Sequence, residues 1–204
     1  MNIAFYPFWA ARTLFSLIQV ISITTLTCLA YEQTGSVIYA VLLLCIYAAG
    51  HTVAKLLFPW LTKHFASSGL VLGMPIIKAV LLMGIALASS HLTEYAALIY
   101  ISFISLSFVI RWESLLLEAL QPQLIEENDL DKANNLVSFA NYTVTGIGLI
   151  MTAITLLYAG IPLALWTAAI LSFAALALIS TVQHLLRNLS HSSLKLSPRH
   201  AHYK

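Results

Sequence analysis

Arg111, Glu113 and Glu118 lie within two helical turns of one another, close enough to make and break ion pairs. Tyr47, His51 and Lys55 are spaced four apart, so on a helix they share one face. His51 is the group suited to carrying a proton, because an unperturbed imidazole titrates near neutrality. Gln19, Tyr100, Ser107, Asn141 and Thr145 add uncharged donors and acceptors. Such a set can bind a solute, gate its path and exchange a proton. It cannot readily break a covalent bond. No pair of carboxylates, no His-Glu-x-x-His and no Gly-x-Ser-x-Gly falls inside an apolar stretch, so hydrolysis has no visible carrier and the chain reads as a non-enzyme. The tail histidines His191, His200 and His202 match no compact ligand spacing, and neither metal nor cofactor is expected.

The segments that position these residues are apolar and long. Of 204 residues, 60% are hydrophobic and 9% charged, whereas soluble domains carry about 25% charged residues. Roughly 20 apolar residues cross the hydrocarbon of a bilayer. The runs Phe8–Tyr31, Ser36–Leu57, Gly69–Ser90, Tyr95–Ile110, Phe139–Tyr158 and Pro162–Leu185 come near that length. They predict an all-α polytopic membrane domain over residues 1–185 with six transmembrane helices, followed by a basic tail over 186–204. Lys55, Lys63, Arg111, Lys132, Arg187, Lys195, Arg199 and Lys204 fall on one alternating set of connections, and Arg12 starts the first span. The positive-inside rule then predicts both termini on the cytoplasmic side of the cell membrane. The net charge of +2 marks topology rather than nucleic-acid binding. Cys28 and Cys45 read as small packing residues inside spans. Lys78, alone inside the third span, is expected to snorkel to the inner surface.

Polar residues are costly in lipid and face a bundle interior or an aqueous cavity. Arg12, Ser16, Gln19 and Thr27 fall on one side of the first span. Tyr47, His51 and Lys55 form a short stripe on the second, and Tyr100, Ser107 and Arg111 one on the fourth, with Glu118 in line if that helix continues. Asn134, Ser138, Asn141, Thr145, Gly148 and Thr152 share a narrow sector of the fifth. The third and sixth spans carry no stripe and are expected to face lipid. A pattern repeating every three spans fits the inverted three-plus-three repeats of transporters. Pro122 should end the helix leaving the fourth span, and Asn128 or Asp129 should cap the next.

Tyr31-Glu32-Gln33-Thr34-Gly35-Ser36, closing the first hairpin, resembles a local signature of the major facilitator superfamily, in its drug and siderophore exporter branch of macrolide-efflux and enterobactin-exporter types. Ala119-Leu120-Gln121-Pro122-Gln123-Leu124-Ile125, then Asp129-Leu130-Asp131-Lys132-Ala133-Asn134-Asn135-Leu136, is similar to that branch's loop between the fourth and fifth helices. The resemblance implies a twelve-helix exporter of two halves, with the first, second, fourth and fifth helices of each half lining a central cavity. This chain looks like the N-terminal half. Two positions depart from the pattern: Lys63-His64-Phe65 stands where Asp-Arg-Phe is expected, and Gly146-Ile147-Gly148 lacks the expected proline.

The resemblance implies export of a small amphipathic compound or siderophore, coupled to protons and requiring a second half, either a second copy or a separate chain. Gln19, Tyr47, Tyr100, Ser107, Asn141 and Thr145 are the expected cavity residues. His51, Arg111, Glu113 and Glu118 are the proton and gate candidates, with Arg111 paired to Glu113 or Glu118. The alternative is a truncated or accessory relative that packs against another membrane protein without transporting.

Overall fold

The structure is a computed structural model that describes residues 5–64, 67–89, 96–121, 125 and 130–196. Its long elements are helices: α1 (Phe5–Thr34), α2 (Val37–His64), α3 (Ser67–Leu87), α4 (Ala96–Leu120) and α5 (Leu130–Leu196). Among the described residues, five helices are therefore long and apolar enough to cross a membrane, and the chain is a multi-pass helical membrane protein. Pro122, Asn128, Asp129 and residues 197–204 lie outside the described residues.

Unbroken, the 67 residues of α5 would run about 100 Å at 1.5 Å per residue, some three times the hydrocarbon thickness. The helix breaks at Gly160, whose φ of 78° and ψ of 176° are non-helical. That backbone region is essentially open to glycine alone. Pro162 follows and brings no N–H to a continuing ladder. The break divides α5 into a first arm, 130–159, and a second arm, 161–196. The turn from α1 to α2 also rests on a glycine: Gly35, at φ 61°, donates its N–H to the Tyr31 carbonyl at 2.8 Å and closes the last turn of α1.

α1 is the axis of the bundle. Phe8, Ala11, Phe15, Ile18, Leu26 and Leu29 are buried along it, and α5 makes its most extensive packing against it. Where Gly148 faces α1, a Cβ would stand 2.9 Å from Leu17 Cδ1 and 3.3 Å from Val20 Cγ1, so the missing side chain sets how closely these helices approach. α3 packs between α4 and α5. α2 touches α4 and α1 through a narrow seam of Leu43, Gly50, Ala54 and Leu61, spaced seven, four and seven. The Trp112 indole N–H donates to the Ala54 carbonyl across it at 3.3 Å.

The fourth helix runs past its apolar stretch to Leu120, in keeping with a stop at Pro122, so Arg111, Glu113 and Glu118 stand on helix. The fifth begins at Leu130, ahead of the apolar run that starts at Phe139. One expectation needs correcting: the third and sixth spans are not the open ones. α3 buries Leu70, Met74, Lys78, Leu82 and Ile85, and the second arm of α5 buries Ala164, Leu165, Ala168, Ala169, Ser172, Ala175 and Ile179. Only 17% of the most apolar window of α2 is buried, against 44% for α1 and α3. Leu and Ile suit a protein interior and lipid equally, so periodicity alone cannot tell the two environments apart.

Candidate functional site

A polar cleft opens between α1, α4 and the first arm of α5. Arg12, Phe15, Ser16 and Gln19 line it from α1, and Ile110, Glu113, Ser114 and Leu117 from α4. Both sets follow i, i+3, i+4, i+7 spacing, so each is one continuous helix face. Asn141 closes the third side. About 50 Å³ is open to water-sized molecules, enough for a few waters. Pockets for drug-sized ligands occupy roughly 300–1,000 Å³.

Side-chain hydrogen bonds tie the helices together around this cleft. Ser16 donates to Asn141 Oδ1 at 2.9 Å, joining α1 to α5. Gln19 Nε2 donates to the Tyr47 hydroxyl at 2.7 Å, joining α1 to α2. Arg12 donates to Gln121 Oε1, and Gln121 Nε2 donates to Asn134 Oδ1 at 2.7 Å, so the end of α4 is bridged to both neighbours. Tyr47 also stands edge-on to Phe103 of α4, with ring centroids 6.5 Å apart. Polar side chains of the α1, α2 and α5 stripes are thus linked around the cleft, and Gln121 at the end of α4 joins them, whereas Tyr100, Ser107 and Arg111 of the α4 stripe are not among its lining residues.

Beside the cleft lies a buried ion pair. Lys78 of α3, 0% exposed, is bonded through Nζ to Glu113 Oε2 of α4, whose residue is 4% exposed. The ammonium also sits 3.9 Å from the centroid of the Phe15 ring, a cation–π contact that holds it from the other side. The expected snorkelling of Lys78 is overturned. A lysine of α3 aimed into the bundle lies beside a carboxylate of α4, and pairing there satisfies a charge that would otherwise have to reach the membrane surface. The ion pairing of Arg111 resolves accordingly: Arg111 NH1 is 3.5 Å from Glu118 Oε1, while Glu113 belongs to Lys78. Ser114 bridges the former pair, lying 3.4 Å from Arg111 and donating to Glu118 at 3.2 Å.

The remaining candidates divide. Gln19 and Asn141 line the cleft, and Tyr47 touches it through Gln19. Ser107 is buried against α2, where a Cβ on Gly50 would be 3.9 Å away, and donates to its own helix at Phe103 O, 2.6 Å. The Tyr100 hydroxyl is buried without a partner among the described residues. Thr145 is exposed on the outer surface of α5. His51, half-buried on α2, is not among the residues that line the cleft. Sequence reasoning missed Lys78 as a member of the site, although an ionisable residue deep inside a span is itself a functional signal. It also missed Gln121, which stands in a quoted motif but just outside any apolar run. Among the described residues no cluster of His, Cys, Asp or Glu could hold a metal ion.

No family model, no curated protein and no solved structure matches this chain.

Proposed function

We propose that the chain is a six-crossing transport unit resembling the N-terminal half of a major facilitator exporter. In this reading the two arms of α5 are the fifth and sixth crossings, related with α1 to α4 as a three-plus-three inverted repeat. The unit moves a small amphipathic compound or siderophore across the cytoplasmic membrane, with proton coupling and a second six-helix unit. The observation that carries the reading is the cleft, where polar groups of α1, α4 and α5 face one another between otherwise apolar helices. Membrane proteins place such groups along solute and ion paths. Gln19 and Asn141 would contact the solute, and Arg111–Glu118 would act as the gate.

The size of the cleft favours a second reading as well. Its 50 Å³ cannot hold a drug-sized molecule, so a substrate space must be completed by another unit or does not exist. An accessory protein that packs against another membrane protein needs no such space. Ethidium accumulation in cells overproducing the chain separates the two. Transport predicts lower accumulation than in cells without the chain, and loss of that effect in Asn141→Leu at equal membrane abundance. Unchanged accumulation in both, together with recovery of the chain in a stoichiometric complex of fixed composition, supports the accessory reading instead.

A further inference from the structure

We infer that Glu113 is a proton-exchange site, with Lys78 as its internal counter-cation. The inference rests on the transport reading and moves the exchangeable proton from His51 to the α4 carboxylate. Three observations converge on it. Glu113 lines the cleft, so a proton can reach it through water-sized space. Its residue is 4% exposed, and Oε1 has no hydrogen-bond partner among the described residues while Oε2 is held by Lys78. One oxygen is thus committed to the ion pair, and the other, itself buried, has an unused lone pair that a proton can take. Finally, Lys78 is gripped by the Phe15 ring as well as by the carboxylate. An ammonium held by a π face keeps a partner when the carboxylate beside it is neutralised.

The step balances simply. A hydronium in the cleft gives a proton to Oε1 and leaves as water; Glu113 goes from carboxylate to acid, and Lys78 stays cationic. Among the described residues, the charged groups around Glu113 are few. Arg12 of α1 lines the same cleft, Lys78 comes from α3, and Arg111 and Glu118 on its own helix are paired with each other. Asn141 faces the cleft from α5 uncharged, and from α2 come only Tyr47, through Gln19, and His51, which is not among the cleft's lining residues. Glu113 is therefore the carboxylate of the cleft, and its charge state decides whether α3 and α4 stay locked through Lys78 or can move apart.

The test is infrared difference spectroscopy on the full chain in vesicles of phosphatidylcholine and phosphatidylglycerol, scanned through a pH titration. The expected result is a protonated-carboxyl band that grows as pH falls, is lost in Glu113→Gln and changes frequency in Glu113→Asp. In Lys78→Gln the same band should appear at higher pH, because the acid has lost the cation that favours its ionised form. A band that survives unchanged in both Glu113 variants, or no titrating buried carboxyl in the folded wild-type chain, overturns the assignment. If Glu113→Gln does not fold, judged by circular dichroism, the frequency change in Glu113→Asp and the displacement in Lys78→Gln decide the matter. A titrating Glu113 in a chain that exports nothing would refute transport and leave the site standing. Export without a Glu113 band would do the reverse.

Discussion

Lys78 and Glu113 were each readable as ionisable residues near a span, but their energetic roles follow from being buried together. Removing one partner of a buried pair leaves an uncompensated charge, at a cost of about 3–5 kcal/mol. Lys78→Met should therefore destabilise the protein by that order near neutral pH, as measured by reversible unfolding in mixed micelles. The double variant Lys78→Met/Glu113→Leu should recover most of the loss, since a well-packed apolar pair often matches or exceeds a buried ion pair. A double variant as unstable as the single one would show that the pair is not what holds α3 to α4. Glu118→Ala is a useful contrast. Glu118 is 46% exposed, and ion pairs that reach solvent contribute about 0–1 kcal/mol, so its effect on stability should be small.

Among the helices, two glycines set the geometry for different reasons. Gly160 occupies a backbone conformation that strains other residues by about 1–3 kcal/mol. Gly160→Ala should lower stability by that amount, although its Cβ would meet nothing closer than Pro162 Cδ at 3.7 Å. Gly148 is helical but lies against α1. Gly148→Ala would press on Leu17 Cδ1, the movable end of a side chain, and on the stiffer Val20 Cγ1, and should cost less than the larger Gly148→Leu. Gly148→Leu should overpack the contact and cost about 1–3 kcal/mol. Gly84→Ala, with nothing within 4 Å of the new Cβ, is the control expected to unfold like wild type. Thermal unfolding of the four variants in one detergent checks this order, and equal effects at Gly148→Leu and Gly84→Ala would remove the close approach as a feature of the bundle.

For the molecule as a whole, the open surfaces are α2 and the first arm of α5. Val41 is 49% exposed, and the first arm turns Ser138 and Thr145 outward in the same stripe that buries Gly148 and Thr152. Outward polar groups on a membrane helix need water or a protein partner. The association proposed for the transport unit therefore places a second six-helix unit on α2 and this arm. Single cysteines at Val41 or Thr145, with Cys28 and Cys45 replaced, should crosslink to a partner, whereas a cysteine at Ile170 on the second arm should not. A monomer in lipid nanodiscs that exports unaided would exclude this arrangement. Topology has its own check: a cysteine at Thr34 should react with an impermeant reagent in intact cells, and one at Ser193 only after permeabilisation.

Sequence alone determined that this chain lives in a membrane and is helical, because span length and charge scarcity answer to the thickness and dielectric of the bilayer rather than to neighbours. It also placed a break between the runs that end at Tyr158 and begin at Pro162, and the stripes that carry Ser16, Gln19 and Asn141, which follow from a fixed helical period. What it could not decide was what each face meets. In lipid an apolar residue reads the same whether buried or exposed, so α2 was not recognisable as the open helix, nor the second arm of α5 as a packed one. Partner choice among charges was equally out of reach. Glu113 is two residues from Arg111 and 35 from Lys78, yet neighbours two apart on a helix point in different directions. Only the packing of α3 against α4 brings Lys78 to the carboxylate, and with it the site on which the proton inference rests.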